Sequence, residues 1–184
     1  MKQTHLLLLL LLSLGISASA QTAQSDLDML GLKGSVQNVH IDFDMGGCTW
    51  CVDYSFDHKG NLIAVDGLPV VVERDGAARI TRCIVSTFDE NGVPFQMVTT
   101  YNYDNNRRVT SASRSTDRSN WVETFTYGPD GRLVARSYTS LDGDESYTYV
   151  YADAIDALGN WLSRTSQLDD SPELITESRL IEYY

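Results

Sequence analysis

The stretch Phe88-Asp89-Glu90-Asn91-Gly92-Val93-Pro94-Phe95-Gln96-Met97-Val98-Thr99-Thr100-Tyr101-Asn102-Tyr103-Asp104-Asn105-Asn106-Arg107 decides the fold. Phe95, Met97, Thr99, Tyr101 and Tyr103 share one face of an extended chain, and Gln96, Val98, Thr100 and Asn102 share the other. A period of two, with one apolar and one wet face, describes a strand of an antiparallel sheet. The strand is bounded on each side by the same unit: an aromatic residue, Asp, a polar pair and then Gly (Phe88 to Gly92), with Arg in the Gly slot in the second copy (Tyr103 to Arg107). Asp caps its own turn backbone and Gly takes a positive φ that other residues reach only at a cost, so each unit reads as a hairpin turn.

Working outward, the unit recurs at Phe56 to Gly60, Val72 to Gly76 and Tyr127 to Gly131, and a degenerate copy follows Ile155 and ends at Gly159. Turn positions 60, 76, 92 and 107 fall 16, 16 and 15 apart and then widen to 24 and 28. The wider gaps hold further turn signals, Asp117 to Asn120 and Asp142-Gly143-Asp144. This is an internal repeat of about ten or eleven short strands. Trp121, Phe125 and Tyr127 align on one face, as do Tyr147, Tyr149 and Tyr151. The opposite faces carry Ser, Thr and Arg, as with Ser111, Ser113 and Ser115, or Arg132 and Arg136. No helical periodicity follows Val36. The pattern predicts an all-β, antiparallel hairpin-repeat meander whose curved sheet closes partly or fully into a barrel-like or sandwich form, because the apolar face must be covered.

With 184 residues, 42% of them hydrophobic, the chain can build one real core. Its 25 acids against 14 bases give a net charge of −11, which argues against nucleic acid and anionic membrane surfaces as partners. Residues 1–20 read as a signal peptide: Lys2, an apolar run from Leu6 to Leu12 extended by Leu14 and Ile16, and the small-residue site Ala18-Ser19-Ala20. Cleavage there removes Lys2 and leaves a charge of −12. The apolar run is too short to span a bilayer comfortably and no later apolar stretch could span one, so no stable membrane insertion is expected after cleavage. Residues 21–34 form a spacer in which Ser25 to Leu30 can make a short helical turn, capped by Ser25 and favoured by Asp26 and Asp28. Residues 35–184 then form a single β-repeat domain, exported to the periplasm or the cell surface.

Tyr127-Gly128-Pro129-Asp130-Gly131-Arg132-Leu133 resembles the core of the YD (RHS-type) repeat, and Phe56 to Leu62 and Tyr103 to Val109 look like weaker copies. The segments Leu32-Lys33-Gly34-Ser35-Val36, Asp156-x-x-Gly159-Asn160-Trp161-x-x-Arg164 and Arg179-x-Ile181-x-Tyr183-Tyr184 are similar to parts of small exported YD-like proteins of Bacteroidetes-type bacteria. The resemblance implies a β-rich repeat fold, export and often no known activity. The chain departs from the pattern where Arg107 replaces Gly and where Phe replaces Tyr.

Cys48-Thr49-Trp50-Cys51 is the sharpest local motif, and Cys83 is a third candidate partner. In an oxidising compartment a structural disulfide is favoured, with Cys83 bonded to Cys48 or Cys51 as plausible a pairing as any, and unpaired buried thiols are the next reading. A redox dithiol needs a thiol lowered by a helix N-terminus or positive charge, whereas the flanks here read as a turn into a strand near Asp42, Asp44 and Asp53. Of the candidate zinc ligands His40, Cys48, Cys51, His58 and Cys83, only the CxxC spacing is characteristic and it lacks a matching second pair, so no metal and no cofactor is assigned. No G-x-S-x-G element is present, and the acid-rich run Asp142 to Glu145 reads as a solvated hairpin turn. Aromatic residues such as Trp121, Tyr147, Tyr149 and Trp161 could stack on sugar rings with Arg132 and Arg136 at the edges, although a barrel core requires the same pattern. Charge divides unevenly: residues 100–140 carry +2 and residues 141–184 carry −8. Together these features point to an exported, non-catalytic binding or scaffold module of the cell envelope, with a glycan or an envelope protein as ligand. A thiol–disulfide redox protein or an immunity-type partner of a secreted effector are the alternatives.

Overall fold

The structure is a computed structural model that describes residues 26–184 except 48, 90, 118, 142, 153 and 170. The leader, Ser25 and Cys48 lie outside the described residues. A short 3-10 helix, Asp26–Leu30, precedes twelve strands: β1 (Val36–Asp44), β2 (Thr49–Phe56), β3 (Leu62–Val65), β4 (Leu68–Arg74), β5 (Ile80–Phe88), β6 (Pro94–Tyr103), β7 (Val109–Ser115), β8 (Asn120–Tyr127), β9 (Leu133–Ser140), β10 (Gly143–Tyr151), β11 (Ser163–Leu168) and β12 (Leu174–Tyr183). Each strand pairs antiparallel with its sequence neighbours, and β12 returns to pair with β1, so the meander closes into a barrel. Full closure removes the two edges that an open sheet would expose. Twelve strands exceed the ten or eleven expected. Asp66-Gly67, with φ values of 50° and 73°, makes a two-residue hairpin that splits Leu62 to Arg74 into β3 and β4.

Six hairpins share one geometry. In each, the N–H of the first turn residue donates to the carbonyl four residues on, and the fourth N–H donates back to the first carbonyl; Asp57 with Asn61 (2.9 Å) and Gly60 with Asp57 (2.8 Å) are one instance. The turns begin at Asp57, Asp75, Asp89, Asp104, Gly128 and Asp156. Their left-handed residues are Gly60, Ala78, Gly92, Arg107, Gly131 and Gly159.

 That set spaces its left-handed positions 18, 14, 15, 24 and 28 apart, so the even spacing read from the sequence is corrected at one turn. Gly76, expected to take the positive φ, does not; Ala78 does, at 63°. The cause is Asp75, whose Oδ1 accepts the N–H groups of Ala77 and Arg79 and so starts the turn two residues later than the Val72 to Gly76 unit implies. Arg107 adopts φ 69°, as its place in the Gly slot requires.

The turns on one end of the barrel are latched to each other. Tyr103 Oη donates to the Ile80 carbonyl (2.7 Å) while the Arg79 guanidinium lies 4.8 Å from the Tyr103 ring centre. One hairpin further on, Tyr127 Oη donates to the Val109 carbonyl (2.9 Å) and Arg108 lies 4.8 Å from the Tyr127 ring. Arg79 and Arg108 are in turn held by Asp75 and Asp104. At the same end, Asn160 accepts from the Lys33 N–H (2.7 Å) and donates to Tyr183 Oη (2.8 Å), while Tyr183 also donates to Asp156. Three segments distant in sequence therefore meet at the seam.

The 3-10 helix plugs this end. Leu27 and Leu32 join a buried cluster with Val36, Val39, Ile41, Phe56, Leu62, Ile80, Cys83 and Val85. Asp26, itself buried, accepts from the Leu62 N–H (2.7 Å) and takes a two-pronged ion pair from Arg74 (2.6 and 2.7 Å). A bidentate guanidinium pair in a buried setting fixes orientation as well as charge.

Candidate functional site in the lumen

Strand alternation sends apolar side chains inward, but it sends charge inward too. Arg136 is opposite Phe125 on β8 and Tyr147 on β10, so it points into the barrel; its expected place on the wet face is corrected. Arg114, Glu123, Arg164, Glu177 and Arg179 share that inward phase. Between them lies a cavity of about 290 Å³, which runs from the plug helix and the exposed Gly131 and Arg132 to Phe43 and Arg114. Its wall includes seven aromatic residues (Phe43, Tyr54, Tyr101, Phe125, Tyr127, Tyr151 and Trp161). It also carries six arginines (108, 114, 132, 136, 164 and 179) against Asp28, Glu123 and Glu177. An acidic chain thus encloses a cationic lumen.

Most of these cations are paired. Arg164 Nε donates to Glu177 (2.6 Å), and its Nη1 donates to Tyr151 Oη (3.1 Å). Glu177 is 2% exposed, and its charge holds Arg164 above the ordinary arginine range although burial opposes this. Glu123, 6% exposed, lies 3.3 Å from Arg114 and 3.8 Å from Arg136. Arg108 is tied to Asp104 (2.7 Å). Arg179 differs. It is 9% exposed, and its Nε and Nη1 have no hydrogen-bond partner. Burial first, then repulsion from Arg164, draws its pKa down to about 9, so it still carries its charge at neutral pH. Its guanidinium carbon lies 3.6 Å from the Trp161 ring centre, a cation–π contact, and Arg164 lies 4.4 Å from the same ring.

Of the side chains singled out in the sequence, Trp161, Arg132 and Arg136 line this cavity. Trp121, Tyr147 and Tyr149 do not: Trp121 packs near Tyr138, Tyr147 lies under Arg136, and Tyr149 is buried under Arg164. Arg114, Glu123, Arg164, Glu177 and Arg179 were not selected, because period-two reading assigns charge to the wet face. The signal was present in Trp121-x-Glu123-x-Phe125-x-Tyr127 and in Ile175-x-Glu177-x-Arg179-x-Ile181, where the charges stand in phase with apolar residues.

The cysteines sit apart from the lumen. Cys51 faces solvent on β2, whereas Cys83 is buried on β5, and both are free. A Cys51–Cys83 disulfide is thereby corrected, since the two side chains leave the wall on opposite sides; Cys48 lies outside the described residues. His40, Cys51 and Asp53 present ligand atoms within 4.8 Å of one another on the exposed wall. Both His40 nitrogens are already engaged, by Asp53 (2.7 Å) and Asp42 (3.0 Å), and these carboxylates raise the imidazole pKa, the Asp53 hydrogen bond most. His58 is exposed in its turn and its ring lies 3.7 Å from that of Tyr184. The remaining outer wall carries Ser, Thr and charge, for example Thr124 against Ser137, Asn102 against Ser111, and Arg82 against Glu73, with apolar residues among them such as Val150 and the cross-strand row Val71, Ile84 and Val98.

Fold and lumen together define a closed antiparallel β-barrel with a lined internal cavity. No protein-family model matches the chain, and no curated protein matches it. Among solved structures, the chain is similar to a porin-like protein from Bacteroides uniformis ATCC 8492, at 13% identity and a TM-score of 0.38. The match covers 83% of this chain and 59% of that one, so the chain spans less than two thirds of its neighbour's length.

Proposed function

We propose that this barrel is an exported, non-catalytic binding protein of the bacterial cell envelope, and that its lumen is the ligand site. The observation that carries the reading is the cavity of about 290 Å³, walled by aromatic rings and held open by buried ion pairs. Concave sites with an apolar lining and a few fixed polar groups are where small molecules bind. The polar outer wall supports a water-facing barrel, because a membrane-spanning barrel needs an apolar band about 25 Å tall on its outside. The recurring turn unit, as in Tyr127 to Leu133, underlies the likeness to YD-type repeats, and the leader motif supports export. Cys51 stands on a strand beside Asp42 and Asp53 and not at a helix end, which favours binding over thiol chemistry.

The test is native mass spectrometry of the purified protein after incubation with a small-molecule extract of the producing cells and with a panel of glycan fragments. A retained adduct at one per barrel, lost when Ala112 is enlarged to Trp to fill the lumen, is the expected result. Retention only by the outer surface, unchanged in the Ala112→Trp protein, would overturn the reading. An envelope protein captured through the wall would favour the scaffold role instead.

A further inference from the structure

We infer that the lumen selects an organic anion: a flat apolar body carrying one carboxylate or sulfonate, with the anionic group seated against Arg179. This deepens the reading of the lumen as a ligand site and rests on it. Arg179 is the only lumenal arginine with two buried N–H groups that no described residue accepts. Arg136 has a third such group, at its Nε. Buried donors are almost always satisfied, so two orphaned ones on a residue of the cavity wall single out Arg179 as the cation that lacks an acceptor.

The charges agree with this. Glu177 is taken by Arg164, and Glu123 is shared between Arg114 and Arg136, which leaves Arg179 without a carboxylate of its own among the described residues. The Trp161 ring stabilises the cation on one side. A neutral acceptor could meet the donors but would leave the charge of Arg179 without a counter-charge. A second cation would be repelled. A flat anion satisfies the donors with its oxygens and packs its body against Tyr54, Phe125 and Tyr151 in the same cavity. The cavity wall reaches the exposed Gly131 and Arg132 beside the plug helix, and Arg132 adds a positive charge there.

Two fluorescent probes of nearly the same shape separate the possibilities: 8-anilinonaphthalene-1-sulfonate, which is anionic, and N-phenyl-1-naphthylamine, which lacks the sulfonate. Both are titrated into the full-length mature protein, with the near-ultraviolet dichroism recorded to show that the barrel stays folded. The expected result is one site per barrel and a preference of about tenfold or more for the anionic probe, in line with a hydrogen-bonded charge. Arg179→Met should remove that preference and leave the neutral probe's affinity unchanged, while Arg179→Lys should restore part of it. If neither probe enters the lumen, the ligand-site reading falls and this inference falls with it. If both bind alike, or if Arg179→Met leaves the preference intact, the anion inference alone is overturned. The wild-type ratio needs no variant, so the inference stays testable even if Arg179→Met does not fold.

Discussion

Arg164 and Glu177 are cross-strand neighbours on β11 and β12, and their pair, at 2.6 Å, is the most deeply buried of the barrel's ion pairs among the described residues. Removing one member of a buried pair leaves an uncompensated charge, whereas removing an unpaired charge relieves one. Glu177→Gln should therefore cost about 3 kcal/mol in urea unfolding, and Arg179→Met should cost less than about 1 kcal/mol or stabilise. Equal losses from both changes would contradict the assignment of Arg179 as the unpaired member.

The plug makes a separate prediction. Asp26→Ala breaks the Arg74 pair and frees the Leu62 N–H at once. A loss of about 3 kcal/mol is expected, with amide exchange accelerated first at Leu62 and at residue 26, whose N–H donates to the Gly60 carbonyl. If exchange rises evenly over all strands, the plug is not a local closure.

The corrected turn can be checked with three substitutions. Gly76 has no positive φ and open space around the position a Cβ would take, so Gly76→Ala should be neutral or gain about 0.5 kcal/mol. Gly92, at φ 75°, should lose about 1 kcal/mol on the same change. Ala78→Gly should gain up to about 1 kcal/mol by relieving a left-handed alanine. Thermal melting of the three proteins decides it; a loss at position 76 as large as that at position 92 would return the left-handed role to Gly76.

His40 gives the barrel a pH dependence of definite sign. Its folded pKa lies above the ordinary 6.5 because Asp53 and Asp42 favour the imidazolium. The stability it adds is full below the unfolded pKa and is lost as pH rises through the folded value. Melting temperature should therefore fall from about pH 6 upward by an amount that His40→Gln abolishes. Parallel profiles for the two proteins would show that the cluster contributes nothing.

Thiol mapping tests the cysteine assignment. Iodoacetamide should label Cys51 in the native protein, while Cys83 should react only after unfolding, since burial shields it and raises its pKa. A peptide containing Cys51 joined to Cys83 would refute the placement of these two side chains.

Much of the architecture could be read before any coordinates. The alternation from Phe95 to Tyr103 specified an antiparallel strand, and the Asp-to-Gly units specified the hairpins around it. Arg107 betrayed its left-handed backbone by standing in a glycine's place. The register failed at Asp75 because two candidate starts lay close together and the nearer Gly was the more conspicuous. The binding chemistry was hidden for a stronger reason. A charged residue in phase with apolar ones has meaning only when the facing strand supplies its counter-charge, and bulges such as that between Thr126 and Tyr127 reset which residues face each other. Glu123 meets Arg114 and Arg136 only once that register is known.

The junction of β1 with β12 joins the first strand to the last: Asn38 donates to Glu182, 144 positions later (2.8 Å). Such a distant contact makes folding slow, because the ends must find each other before the reward for closure arrives. A chain delivered from its N-terminus therefore presents β1 with one side unpaired until β12 has emerged. During that interval the nascent sheet is an adhesive template, and the time at greatest risk of clumping is set by delivery of the final segment, not by the formation of any single hairpin.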